Sequence, residues 1–291
     1  MRQFWIGLGL AVIVITAAGA ALAGGPGIAA RLGFPVDRSG RIYVLDRNDP
    51  VAISVYSANR NVLVSQRPYA TIVGSRTGLG ETHAVALDPA GNIYVSQGGS
   101  IEVFPANPSA GPHDEAPTAF IVGANTGVVE PMGMAFDRSA HLYVADEGYQ
   151  GILVFGAHAN GNIAPIATIA GSHTGFTYPQ GVALDAGGNI YVSQFEPDSQ
   201  ENAGAEILEF AAGASGNATP IAKLAGATTQ LQAPGRITVN TNGDIYVFND
   251  DDANGVLVFA PLHAGNSDRA PIASIGGTNM WRNMLTPVAV H

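Results

Sequence analysis

A unit of about fifty residues recurs five times along this chain, and a fixed period of that size dictates a repeat architecture. The sharpest part of the unit reads Asp-x-x-Gly-x-Ile-Tyr-Val. It stands at Asp37–Val44 (DRSGRIYV), Asp88–Val95 (DPAGNIYV), Asp137–Val144 (DRSAHLYV), Asp185–Val192 (DAGGNIYV) and Asn240–Val247 (NTNGDIYV). Each copy is preceded by a short apolar segment such as Gly181-Val182-Ala183-Leu184. In the turn between them Asp can bond its own backbone, Gly supplies a positive φ, and Ile-Tyr-Val has the β-branched and aromatic character of a strand. Two strands across a tight polar turn make a hairpin.

Two more strands complete the unit. The third reads Ile53–Tyr56, Ile101–Phe104, Ile152–Phe155, Ile207–Phe210 and Val256–Phe259. The fourth has the form Pro-x-Ala-x-Ile and begins at Pro68, Pro117, Pro165, Pro220 and Pro271. Proline has no N–H to give a ladder, so this strand is expected at the exposed outer edge of each sheet. Four antiparallel strands per unit without helical periodicity predict an all-β chain, a β-propeller of four-stranded blades. A solenoid fits less well, because each unit carries full hairpins. The copy number favours five blades. Six, with one incomplete, is the alternative, because inner-type segments also occur at Phe34-Pro35-Val36 and at Pro287–Val290.

The stretch Pro-x-Gly-Val-Ala-Leu-Asp-x-x-Gly-Asn-Ile-Tyr-Val, fullest at Pro179–Val192, resembles the NHL-repeat family of propellers. The resemblance covers residues 33–291 and implies the fold. It implies little about activity, since that family includes binding modules, sensors and a few enzymes.

The start of the chain reads differently. Arg2, an apolar run over Phe4–Ala18 and Ala21-Leu22-Ala23 have the layout of a secretory signal peptide over residues 1–23, followed by a linker over 24–32. An uncleaved membrane anchor is the alternative. The expected location is secreted or periplasmic. The chain contains no cysteine, which excludes disulfides, thiolate metal sites and cysteine nucleophiles. Net charge is −10 with 12% charged residues, so neither nucleic acid nor an anionic membrane is an expected partner.

In a propeller, ligands are expected at the channel mouth, where the fourth-to-first and second-to-third strand loops open. The first loop set carries Gly-x-x-Thr-Gly at Gly74–Gly78, Gly123–Gly127 and Gly171–Gly175, with departures at Gly226–Gln230 and Gly277–Trp281. Ser172-His173 holds turn positions also filled by Ser75-Arg76 and Ala124-Asn125, and no Gly-x-Ser-x-Gly elbow is present. Glu81 and His83 depart from the repeat just before an inner strand, where other units place Met132, Gln180 and Gly235. Acidic residues gather in the second loop set, at Asp46, Asp49, Asp146, Glu147, Glu196, Asp198 and Asp250–Asp252. Asp250, Asp252 and Asn254 match the first half of a calcium loop, but Pro261 stands where its bidentate Glu belongs. Calcium in a short oxygen-rich loop is one expectation, a hydrated turn the other. Tyr149, Phe176, Tyr178, Phe195 and Trp281 could stack on a flat ligand or pack between blades. Asn217-Ala218-Thr219 is a glycosylation sequon.

No complete catalytic constellation remains. The expected function is therefore an exported binding module for a protein, glycan or small molecule, with ligand contacts from Glu81, His83, His173, Tyr178 and Trp281. The alternative is a metal-dependent hydrolase or lyase using carboxylates and histidines from several blades, among Glu81, His83, Asp146, Glu147, His173 and Asp250.

Overall fold

Five turns with the same bonds set the repeat. In each, one side-chain oxygen of the leading Asp or Asn accepts the amides two and four residues on. Asp185 Oδ1 takes Gly187 N and Asn189 N at 2.8 Å each, and Asp37, Asp88, Asp137 and Asn240 do the same. The computed structural model describes residues 36–47, 49–56, 68–196, 204–249 and 255–275. The signal-type segment, the linker and the Pro287–Val290 segment lie outside the described residues.

The turns join strands into five small sheets arranged as a five-bladed propeller, with a single 3-10 turn as the only helix among the described residues. The first blade holds β1 (Ile42–Asp46), β2 (Ala52–Tyr56) and β3 (Ala70–Val73). Its inner position is represented among the described residues by Val36, which bridges to Ile42. The second blade holds β4 (Thr82–Leu87), β5 (Ile93–Gln97) and β6 (Ser100–Phe104). A short strand β7 (Gly111–His113) then precedes its fourth strand, β8 (Ala119–Val122). The third blade is β9 (Pro131–Phe136), β10 (Leu142–Asp146), β11 (Gly151–Phe155) and β12 (Ala167–Ile169). The fourth is β13 (Pro179–Leu184), β14 (Ile190–Gln194), β15 (Glu206–Phe210) and β16 (Ala222–Ala225). The fifth is β17 (Pro234–Val239), β18 (Ile245–Asn249) and β19 (Val256–Phe259), then the short β20 (Gly265–Ser267), then β21 (Ala273–Ile275). Within each blade the ladder is antiparallel in chain order. The four inner strands β4, β9, β13 and β17 stand side by side around the axis.

The fourth strand is not the bare edge that its proline suggested. The connector between the third and fourth strands of the next unit runs alongside it in parallel. β7 pairs with β3 and β20 with β16, and single bridges join Ile121 to Gly161 and Ile169 to Gly216. The proline removes one donor at the start of the strand, but the rest of the edge is covered by the following blade.

The same connector supplies a second tie. Asp114, Asn162, Asn217 and Asp268 each accept a backbone amide from the preceding unit's Gly-x-x-Thr-Gly loop, at 2.7–2.9 Å. The loop glycines Gly74, Gly123, Gly171 and Gly226 have φ between +118° and +130°, and a Cβ on any of them would fall 2.4–2.6 Å from that Asp or Asn side chain. Glycine is required there by both conformation and space. The loop threonines Thr77, Thr126, Thr174 and Thr229 each donate to the carbonyl of that glycine at 2.7 Å. The Gly226–Gln230 loop, a departure in sequence, therefore keeps the same geometry. Gln230 enters the left-handed region at φ 61° where other copies have glycine.

Apolar packing lies between blades, each cluster joining two successive units. Phe104, Phe155, Phe210 and Phe259, the last residues of their third strands, are wholly buried. Each such ring contributes about 1.5–3 kcal/mol from burial.

Among the buried carboxylates of the described residues, one has an oxygen left without a partner. Glu102 pairs with Val95 in the slot that holds Ser54 in the first unit and Leu153, Leu208 and Leu257 in the last three, and is 4% exposed. Ser100 donates to Oε1 at 2.7 Å, while Oε2 is buried with no partner among the described residues. Burial pushes this carboxyl above its ordinary value of 4.5, against a smaller opposing pull from its hydrogen bonds to Ser100 and Gln97. With the folded value raised, the ionised form is the one the fold disfavours. The penalty is absent below 4.5, grows between 4.5 and the raised value, and is constant above it. Glu102→Leu is therefore expected to raise stability at pH 7 by about 1–2 kcal/mol. The gain should shrink as pH falls toward 4.5. Urea unfolding of both chains at the two pH values checks it.

Candidate ligand site at the channel mouth

At the mouth end of every complete inner strand the ladder slips. The register breaks between Thr82 and Ala84, between Pro131 and Gly133 (opposite Ala145/Asp146), between Pro179 and Gly181, and between Pro234 and Ile237. The residues left over are His83, Met132, Gln180 and the pair Gly235-Arg236. A bulge re-aims side chains and is common beside functional sites. Here four bulges ring the axis, at the positions where the sequence departs most from its own repeat.

The bulges are kept in place by the second strands. Ser96 Oγ accepts Ala84 N at 3.0 Å, and Ser193 Oγ donates across to the Gly235 carbonyl of the next blade. Below the bulges the inner strands come very close. A Cβ on Gly133 would meet the Gln180 carbonyl oxygen at 2.6 Å, and one on Gly181 would meet the Gly235 carbonyl oxygen at 2.6 Å. β17 is different, because Arg236 stands where β4 has Ala84, β9 Gly133 and β13 Gly181. Its side chain lines the axial cavity together with Gly133, Met134, Gly181 and Val182. Its guanidinium Nη2 donates to the His83 carbonyl, so it spans the interval between β17 and β4.

Arg236 was not among the residues singled out from sequence. The signal was present: PGRITV replaces the small residue of PQGVAL and PMGMAF by the longest basic side chain. Burial, reinforced by the charge of Arg47, draws the Arg236 pKa down to about 9, so it is still cationic at neutral pH. Arg47 follows β1, and burial lowers its pKa as well. His83 is half-buried, and its Nδ1 is buried without a partner among the described residues. Burial first, then Arg47 and Arg236, hold its pKa below 6.5, against the opposing pull of Glu130 and Glu81. Glu81 is exposed at the rim of this group. On the other side Gln180 donates to Glu147 Oε2 at 2.5 Å. Burial raises the Glu147 pKa, with Glu130 and Asp146 adding to the rise and the Gln180 hydrogen bond opposing it.

The other residues read from sequence separate into several fates. Asp146 is wholly buried and belongs to the scaffold: it accepts Val129 N, Glu130 N and Tyr149 N at 2.8–3.0 Å. Gln97, Gln194 and Asn249 at the same place in their units grip the adjoining loop in the same way. His173 is exposed in its turn, with its backbone amide bound to Asn217, and is not brought to the bulges. The sequon residue Asn217 is exposed, but its carboxamide oxygen is engaged in that tie. Tyr178 is half-buried beside Gln180. Phe176 packs on Phe210 with ring centroids 5.2 Å apart, and Tyr149 packs against the cluster between the second and third blades, so these two are interior residues. Trp281, Asp250, Asp252, Asn254 and Asp198 lie outside the described residues. Among the described residues no three His, Asp or Glu side chains converge as a metal site would require. The multi-blade set of Glu81, His83, Asp146, Glu147 and His173 is thus divided between mouth, scaffold and turn.

By sequence, no protein-family model and no curated protein matches the chain. By structure, it is similar to a protein of unknown function from Bacteroides caccae (TM-score 0.56, 10% identity, 86% of this chain and 83% of that one). It is also similar to a functionally unknown protein from Desulfotomaculum acetoxidans DSM 771 (TM-score 0.54, 14% identity, 88% and 74%). A third similarity is to the PQQ-bound aldose sugar dehydrogenase of Streptomyces coelicolor (TM-score 0.52, 17% identity, 86% and 89%). At these identities the likeness is one of fold, and the fold is a β-propeller.

Proposed function

We propose that this chain is an exported, NHL-type propeller that acts as a binding module, with its ligand face at the ring of bulges around the channel mouth. The observation that carries the reading is the contrast between the two ends of the blades. At the Asp-x-x-Gly end, each leading Asp or Asn spends its side chain on its own turn. At the bulge end, His83 Nδ1 and Arg236 Nε, from two different blades, are buried with no protein partner among the described residues, whereas the like case at the other end, Arg269 Nε, belongs to a guanidinium that already donates to the Ala260 and Pro261 carbonyls. Native interiors leave few such groups, and each is met by water, an ion or a bound ligand. Export is proposed from the signal-type segment, and NHL character from the repeat motif.

The test is a screen of neutral sugars, small carboxylates and short peptides against the purified chain, followed by amide chemical-shift mapping. The expected result is saturable binding with changes at His83, Met132, Gln180 and Arg236, and no chemical change in the recovered ligand. Changes confined to the Asp-x-x-Gly turns would put the ligand face at the wrong end. Conversion of the compound during incubation would replace a binding module by an enzyme.

A further inference from the structure

Basic and acidic groups crowd together at the channel mouth. Arg47 from the first blade, His83 from the second and Arg236 from the fifth stand close enough that each arginine depresses the proton affinity of His83, and Arg47 that of Arg236. A chain of net charge −10 has thus gathered basic groups from three blades at its axis. Among the described inner strands, Arg236 alone carries a long side chain in the small-residue slot. It uses Nη2 to reach the His83 carbonyl, the β4 counterpart of the carbonyls of Gln180 and Gly235 against which Gly133 and Gly181 pack. Between β13 and β17 the backbones touch, whereas between β17 and β4 an arginine spans the interval. In that interval the first blade's inner position is represented, among the described residues, by Val36.

A strut would need only one of the five donors of a guanidinium. Arg236 Nε is buried without a partner among the described residues, and so is His83 Nδ1 on the strand it reaches. Adjacent like charges with unspent donors are the arrangement that an oxyanion satisfies, because a carboxylate takes two parallel N–H bonds from a guanidinium and neutralises the repulsion.

We propose that the channel mouth binds a small monocarboxylate, held by Arg236 and Arg47, with His83 Nδ1 as a further donor. The proposal rests on the reading of this face as the ligand face. The choice of a monoanion follows from the rim. Glu81 and Glu130 pull the His83 pKa upward, and Glu130 adds to the rise at Glu147. A phosphate dianion would meet these carboxylates with twice the charge and the same two arginines. A monoanion meets half of that repulsion and can still take two parallel N–H bonds from a guanidinium.

The test is a titration of the full chain with sodium acetate against sodium chloride of matched ionic strength, read by chemical shifts and by melting temperature. Expected are a saturable response to acetate beyond that of chloride, shifts at His83 and Arg236, and an upward move of the His83 titration in the complex. Arg236→Met should weaken acetate binding by about tenfold or more, the usual effect of losing a charged hydrogen bond. It should still melt cooperatively. Arg47→Met should weaken binding by less and gives a second variant if Arg236→Met fails to fold. Equal acetate binding by wild type and both variants would overturn the proposal, as would a wild-type response no larger than that to chloride. Tighter binding of inorganic phosphate than of acetate would overturn the monocarboxylate assignment. A neutral sugar that shifts the bulge residues when acetate does not would sink this inference and leave the binding-module reading standing. Shifts only at the Asp-x-x-Gly turns would sink both.

Discussion

Asp146→Ala is expected to destabilise the chain by roughly 3–5 kcal/mol, the largest loss from any single side-chain truncation considered. The carboxylate is wholly buried, and its two oxygens hold Val129 N, Glu130 N and Tyr149 N at 2.8–3.0 Å. Alanine leaves those amides without acceptors, and each orphaned buried donor costs about 1–3 kcal/mol. Water entering the space left by the carboxylate would recover part of that, which keeps the figure below the simple sum. For a domain of this size the loss corresponds to a fall in melting temperature of about 10 °C. Asp146→Asn should do less damage, because its amide oxygen still accepts while its NH₂ faces a donor. Calorimetry on both variants checks the order. If Asp146→Ala melted with the wild type, the loop would have another anchor, and Asp146 would return to the group of residues available for ligands.

Gly181→Ala is expected to cost about 3 kcal/mol and to disturb the mouth as well. The added Cβ would lie 2.6 Å from the Gly235 carbonyl oxygen, 2.7 Å from Ser193 Oγ and 3.1 Å from the Arg236 Cα. Two of those atoms are backbone and cannot swing aside, so β13 and β17 must separate. Separation breaks the hydrogen bond from Ser193 to Gly235 and moves Arg236 with its strand. The variant should therefore lose both stability and any mouth ligand, whereas Gly171→Ala, strained at a loop between blades, should lose stability alone. Unfolding measurements paired with the acetate titration separate the two. Unchanged stability for Gly181→Ala would show that the inner strands can spread at little cost.

The opposite sign of effect is expected from Glu102→Leu, and the reason links these variants. Each unit offers the same slots, and a residue that departs from its slot either serves the site or is tolerated at a cost. Glu102 has no role at the mouth and sits in a slot that three other units fill with leucine, so placing leucine there should help. Arg236 departs from a glycine slot at the mouth itself, where the departure places a cation on the axis.

The sequence by itself determined the blades. Strand order, the Asp-x-x-Gly turns and the buried third-strand phenylalanines all follow from local chemistry repeated with a fixed period. Turn residues and alternation act over a few positions, so one chain is enough to read them. It also determined where the repeat breaks: His83, Met132, Gln180 and Gly235 occupy the same place in successive units. What only the tertiary structure decided is what those breaks face. The parallel cover on the fourth strands of the first four blades joins residues 40–47 positions apart, and the ties from Asp114, Asn162, Asn217 and Asp268 join residues 37–44 positions apart, each across two blades. Asp146 looked like a ligand-seeking acid, and it became scaffold once three amides converged on it. Arg236 looked like one basic residue in a strand, and it became the axial cation once β17 met β4, whose His83 lies 153 positions earlier. Contacts of that span are set by the closing of the ring, which brings first, second and fifth units together around an axis that no local stretch of sequence contains.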